Sequence, residues 1–126
     1  MATKHFTDAE LACRCGCGTL PPQEFQEELE LLRVAYGRPM RISSAARCPD
    51  HNESVSAKRT RDGPHTIGAV DVLVFGSDAW ELDRCARRFG WSGIGTHQKE
   101  HRETRFKHLD RLVSAPGRPR PWEWSY

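Results

Sequence analysis

The chain predicts an α+β fold, a small antiparallel sheet flanked by helices, on three observations. Apolar residues recur at helical spacing in the first third, the β-branched, apolar run Val72 to Phe75 lies just past the midpoint, and an alternating stretch ends at Asp110. No regular β-α-β succession links them, which argues against a parallel doubly wound sheet. At 126 residues there is chain enough for one core. Residues 1–126 are read as a single domain whose stretch 113–126 is a Pro/Trp-rich tail.

Thr7-Asp8-Ala9-Glu10 has the spacing of a capping box and starts a short helix. Pro21-Pro22 opens a longer one in which Phe25, Leu29, Leu32 and Tyr36 share a face, and Gly37 stops it. Met40 to Ser44 reads as a strand that delivers Arg47. The polar, aperiodic stretch Cys48 to Gly63 suits a loop over a cleft. Ala69 to Phe75 is the clearest strand. Ser77 is placed to cap the next helix, with Ala79, Leu82, Ala86 and Phe89 on one face and Gly90 at its end. Gly93 to Thr96 is a short strand, His97 to Thr104 a polar connection, and Arg105 to Asp110 the last strand, on which Phe106, His108 and Asp110 point the same way. The tail's two tryptophans and tyrosine are expected to fold back as a lid on the core edge.

Nineteen basic residues against seventeen acidic ones give no electrostatic footprint for nucleic acid. The basic run Lys58-Arg59-Thr60-Arg61 reads as a solvated loop, with contact to an anionic substrate as the alternative. No apolar run approaches the ~20 residues that span a bilayer, and Met1 to His5 lacks the core of a signal peptide. Synthesis in the cytoplasm without a signal peptide is therefore expected. Fingerprints of serine hydrolases, P-loops and dinucleotide sites are missing, and no cysteine has a recognised nucleophile context.

Gly63-Pro64-His65-Thr66-Ile67-Gly68-Ala69-Val70-Asp71, read with His108 and Asp110, supplies a sparse His/Asp/His set. A catalytic zinc takes three such ligands and keeps a fourth position open, whereas a structural zinc is closed by four. Five cysteines is an odd number. Cys13, Cys15 and Cys17 are too close in sequence to bridge one another comfortably, and Cys48-Pro49-Asp50-His51 has the spacing of a metal hook. Reduced thiols, one bridge from the N-terminal cluster to Cys48, and a second, structural zinc held by some of Cys13, Cys15, Cys17, Cys48 and His51 all remain open. Cys85 lies in a helical pattern and reads as a small core residue.

Several motifs in order carry a resemblance: Ser44-Ala45-Ala46-Arg47-Cys48-Pro49-Asp50-His51-Asn52, Gly63-Pro64-His65 with Gly68-Ala69-Val70-Asp71, Gly93-Ile94-Gly95, and Phe106-Lys107-His108-Leu109-Asp110. Together they resemble the zinc D-Ala-D-Ala carboxypeptidase family, in its branch of small phage peptidase-like proteins, relatives of the L-alanyl-D-glutamate endopeptidase endolysins. The likeness runs from His5-Phe6-Thr7 and Cys13 to Gly18 through to Trp122-Glu123-Trp124-Ser125-Tyr126. It implies a Hedgehog/D-Ala-D-Ala-peptidase architecture. It also implies Zn²⁺ held by His65, Asp71 and His108, and hydrolysis of an amide bond in peptidoglycan stem peptides or cross-bridges.

The family pattern sets the aspartate seven residues after the histidine, whereas Asp71 follows His65 by six. A one-residue slip within a strand turns a side chain to the opposite face, so the expectation is that the loop before the strand absorbs it. Metal affinity is the property this spacing bears on. Arg47 matches the arginine that faces the substrate, with Ser44 and Asn52 ordering its loop. Many relatives carry an acidic base three residues before the last histidine, where this chain has Arg105. Glu103, His101 and Glu100 are the substitutes upstream. Asp110 is either another base or an acceptor that fixes a histidine ring. The resemblance further implies a phage or prophage lysis or virion-associated protein that reaches the wall after release or on a virion. The alternative is a non-catalytic virion or wall-binding protein that keeps the fold, with or without the metal.

Overall fold

The structure, a computed structural model, describes residues 3–126. Thr7 and Glu10 form the expected capping box at the start of α1 (Asp8–Leu11). The second helix, α2 (Gln23–Tyr36), ends on Gly37 in the left-handed conformation (φ 74°), where a side chain would be strained. After β1 (Arg41–Ser44) come α3 (Pro49–Val55) and α4 (Pro64–Ile67), then β2 (Ala69–Leu73), α5 (Gly76–Arg88), β3 (Gly93–His97), β4 (Phe106–Asp110) and β5 (Trp122–Ser125). A single 3-10 turn, Arg102–Thr104, interrupts the connection between β3 and β4.

The five strands form one sheet in the order β1-β2-β4-β3-β5. Its first four strands pair antiparallel, as the sequence predicts, and β5 adds to the free edge of β3 in parallel. One face of the sheet, with Val70, Val72, Ile94 and Leu109, packs on Phe25, Leu29, Leu32 and Tyr36 of α2 and on Leu82, Cys85 and Ala86 of α5. Each leucine buried there contributes about 1.5–3 kcal/mol. Lys107 is also buried on β4, where its ammonium meets Asp83 of α5 at 2.7 Å and Thr96 at 2.9 Å, so an ion pair joins sheet to helix.

Four expectations need correction. The stretch expected as a loop from Cys48 holds α3, started by Pro49 at its first turn and by the Cys48 sulfur, which accepts from the His51 N–H as an N-cap. Cysteine is an unusual residue in that role, so the start signal is faint. The helix α5 begins at Gly76 with Phe75 as N-cap, and Ser77 lies inside it. Phe89 is that helix's last cap and is exposed, while Trp91 turns into the core in its place. The tail is a strand rather than a lid on the core edge, and it adds to the sheet on the side that carries the site described below.

Candidate metal centre

Strand pairing aligns the chemistry on one rung of the sheet: Ser44 of β1 opposite Asp71 of β2, Asp71 opposite His108 of β4, His108 opposite Gly95 of β3, and Gly95 opposite Trp124 of β5. A register shift between Ile42 and Ser44 brings Ser44 onto that rung. The neighbouring rung holds Ala69, Asp110, Gly93 and Trp122. Because side chains alternate along a strand, both rungs face away from the helices.

His65, Asp71 and His108 converge, with donor atoms within 4.8 Å of one another. His65 Nε2 lies 3.3 Å from Asp71 Oδ1, and His108 Nδ1 lies 3.1 Å from the same oxygen. The shortened spacing is absorbed before the strand, as expected. The Thr66 hydroxyl accepts from the Gly63 N–H and donates to its carbonyl, which closes the single turn of α4 and hands the chain to β2 at Ala69.

The second nitrogen of each imidazole already has an acceptor. His65 Nδ1 donates to the Ala45 carbonyl at 2.8 Å, and His108 Nε2 donates to Asp110 at 2.8 Å. With those N–H groups fixed, each neutral ring turns a lone pair toward the Asp71 carboxylate. Two lone pairs and an anion meeting in a buried pocket require a cation or a proton between them. The donor set therefore fits a zinc ion. Without one, burial alone would favour neutral Asp71, yet hydrogen bonds from His108 and His65 hold its carboxyl well below the usual carboxylate range. Burial likewise opposes a charge on His108, and the bonds to Asp110 and Asp71 override it, raising its pKa.

Asp110 is fully buried and accepts from four donors. Arg120 meets it in a two-pronged pair at 3.0 and 2.8 Å, and the His108 ring and the Leu112 N–H complete the set. Burial would raise its pKa, but His108 and Arg120 lower it. These four donors occupy the Asp110 carboxylate, and its bond to His108 Nε2 is the contact expected of an acceptor that fixes the ring.

Arg47 stands beside the triad. Its guanidinium reaches Ser44 Oγ and Asn52 Oδ1, each at 3.3 Å, and approaches the second Asp71 oxygen at 3.9 Å. Asn52 is buried and also donates to the Thr60 and Asp62 carbonyls, so it ties Arg47 to the loop after α3 as the sequence predicts. Glu103 and His101 lie exposed in and beside the 3-10 turn, and neither side chain bonds to the triad. The Glu100 carbonyl accepts from Arg105. In the basic run, Arg61 pairs with Asp50 and Glu53, which favours the solvated-loop reading.

Sequence reasoning missed the tail's part in the site. Trp124 packs on the His108 ring with centroids 5.0 Å apart, and the Arg120 guanidinium lies over the Trp124 ring. Tyr126 packs on Phe106 and Trp124, and its phenol is pushed up to about 12 by partial burial and the Asp71 charge. One signal was available. Glycines alternating on a strand mark a close approach, and a Cβ on Gly93 would fall 2.3 Å from the Asp110 carboxylate, one on Gly95 2.6 Å from the Trp124 indole nitrogen.

The four cysteines Cys13, Cys15, Cys17 and Cys48 form a second cluster of converging donors, which His51 does not join through its ring. No described helix is long and apolar enough to cross a membrane.

A search of curated proteins finds no match to the chain. A family model described as Peptidase M15 matches residues 4–110. That span takes in four of the five strands, closes on the last residue of β4 and leaves out residues 1–3 and 111–126, so the likeness extends over the fold as well as the triad: the chain belongs to the M15 peptidase family.

Proposed function

We propose that the chain is a zinc metallopeptidase that hydrolyses an amide bond in peptidoglycan peptides, as a phage or prophage lysis or virion-associated protein acting on the wall after release or on a virion. The observation that carries this reading is the convergence of His65, Asp71 and His108 within one family of peptidases. The wall substrate and the phage setting rest on the motif resemblance.

His65 Nε2, an Asp71 oxygen and His108 Nδ1 are the atoms that would hold the ion. Zinc held there supplies Lewis acidity and a nucleophile at neutral pH. Asp110, locked by Arg120, keeps the His108 ring turned toward Asp71. Arg47 is placed to receive the carbonyl oxygen as it gains charge, an interaction that strengthens only toward the tetrahedral state. Glu103, with His101 second, is the proposed base. Either acts only if the polar segment 98–104 folds over the triad, because a base must come within ~3 Å of the proton it takes, or reach it through a water.

That outlying position of the base candidates favours one second reading, a virion or wall-binding protein that retains the metal without turnover. Two measurements separate the readings. Elemental analysis should show one zinc fewer per chain in His65→Ala and in His108→Ala than in the wild type. Purified muropeptides should be cleaved by the wild type, and about 100-fold or more slowly by Glu103→Gln with zinc retained. Unchanged metal content in both histidine variants removes the triad as the metal site. Retained zinc without cleavage of any wall fragment selects the binding protein.

A further inference from the structure

We propose that Cys13, Cys15, Cys17 and Cys48 hold a structural zinc ion, separate from the His65, Asp71 and His108 centre, which staples the N-terminal segment to the loop carrying Arg47. The four sulfurs all lie within 4.8 Å of one another, with Cys13 to Cys15 at 3.4 Å and Cys15 to Cys48 at 3.7 Å. Four thiolates at ~2.3 Å from a tetrahedral zinc stand about 3.8 Å apart, so the cluster already has the size of that coordination shell. It does not sort into disulfides. A bridge needs two sulfurs at ~2.05 Å, whereas Cys15 lies comparably near to Cys13 and Cys48, and every cysteine is free.

The backbone around the cluster is folded for sulfur ligands. Gly16 (φ 88°) and Gly18 (φ 85°) take left-handed conformations, and the Cys13 N–H donates to the Thr19 carbonyl, which closes a tight loop with three cysteines on it. Two backbone amides donate to sulfur from outside that loop, Cys48 N to Cys13 Sγ and His51 N to Cys48 Sγ, each at 3.4 Å. Such bonds favour the ionised sulfur that a metal requires. Four protein ligands close the shell and leave no position for a substrate, which marks a structural rather than a catalytic ion.

The location gives the ion its purpose. Cys48 follows Arg47 directly and caps α3, while the Ala46 N–H donates to the Leu11 carbonyl at the end of α1. Short N-terminal segments have little core of their own. The metal would fix this one against the loop and hold the backbone directly after Arg47 in place.

Protein purified under reducing conditions with zinc supplied should carry two zinc ions per chain. His65→Ala should retain one, Cys48→Ser should retain one, the double variant none, and Cys85→Ser both. The His65→Ala protein, with all four cysteines intact, should take up one cobalt ion. It should then show the intense visible bands and near-ultraviolet thiolate-to-metal charge transfer of a tetrahedral sulfur site. Cobalt uptake without those bands, iron in place of zinc, two zinc ions in Cys48→Ser, or a disulfide found by mass in place of the ion would each overturn the assignment. Loss of the ion in His65→Ala alone bears on the peptidase centre and leaves this one standing.

Discussion

Asp110 spends all its hydrogen-bonding capacity on other parts of the protein, and its variants should report on metal rather than on proton transfer. Asp110→Asn keeps the shape, loses the charge pair with Arg120 and loosens the His108 ring, so zinc affinity at the triad should fall by about 10–100-fold. Competition against a chelating dye measures this. Gly93→Ala would drive a methyl into the same carboxylate, which four donors hold in place. A destabilisation of about 1–3 kcal/mol is expected in denaturant titration. Gly95→Ala should cost less, because Trp124 sits on an edge strand whereas the Asp110 carboxylate is fully buried. For Arg47→Ala, kcat should drop by about 10²–10³ with zinc content unchanged, since removing an oxyanion donor acts on the transition state. Arg47→Lys should recover little of it, as an ammonium lacks the planar fork. An unaltered kcat in Arg47→Ala would remove Arg47 from the chemistry.

At the scale of elements, β5 does more than extend the sheet. It brings Trp124 onto His108, and the turn before it brings Arg120 onto Asp110. A chain ending at Pro119 would leave the Asp110 carboxylate buried beside His108 without its guanidinium. Breaking a buried pair on one side costs about 3–5 kcal/mol, so this truncation should lower stability by that order and weaken triad zinc binding together. A truncated protein as stable as the full chain would show that β5 is an ornament. The longer elements were legible from sequence because their signals are local: the capping box of α1, the apolar face and terminal glycine of α2, the β-branched run of β2 and the alternation of β4. The helix α3 and strand β5 were not legible. One starts on a cysteine cap in a polar stretch, and the other is a short, half-exposed run that becomes a strand only by meeting the edge of β3.

Across the whole molecule, the triad and Asp110 make stability depend on pH in a defined window. Asp71 and Asp110 have folded pKa values below their unfolded ones, so each stabilises the fold above the unfolded carboxylate pKa of about 4 and loses that contribution as pH falls through its lowered value. His108 has a folded pKa above its unfolded one, so its contribution is complete below about 6.5 and disappears as pH rises through the raised value. Chelator-treated protein should therefore show its highest Tm between roughly pH 4 and 7, with a decline on the alkaline side. Zinc bound at the triad would take the place of the proton between His108 and Asp71, since metal ligands must be deprotonated. In zinc-loaded protein the alkaline decline should vanish and the acid decline should begin at higher pH. A Tm of metal-free protein that stays level from pH 6 to 9 would show that the His108 charge is not needed.

The sequence by itself determined the α+β class, the core face of α2 and most of that of α5, because periodicity and caps are written in consecutive residues, and through the motif resemblance it supplied His65, Asp71 and His108 as candidates. It also placed Arg47 and left Asp110 between two roles. Tertiary structure brings Arg120 across ten residues of chain to that buried carboxylate, a contact that no local signal announces. It also showed that the six-residue spacing still puts Asp71 on the rung of His108, since the single turn of α4 absorbs the difference before the strand begins. The four cysteines illustrate the same division. Their spacing raised several pairings, and only the fold, which lays the loop after β1 against the N-terminal segment, brings Cys48 to within a coordination shell of the other three. Contacts between residues far apart in the chain depend on which faces the core buries, and that is a property of the whole packing rather than of any local stretch.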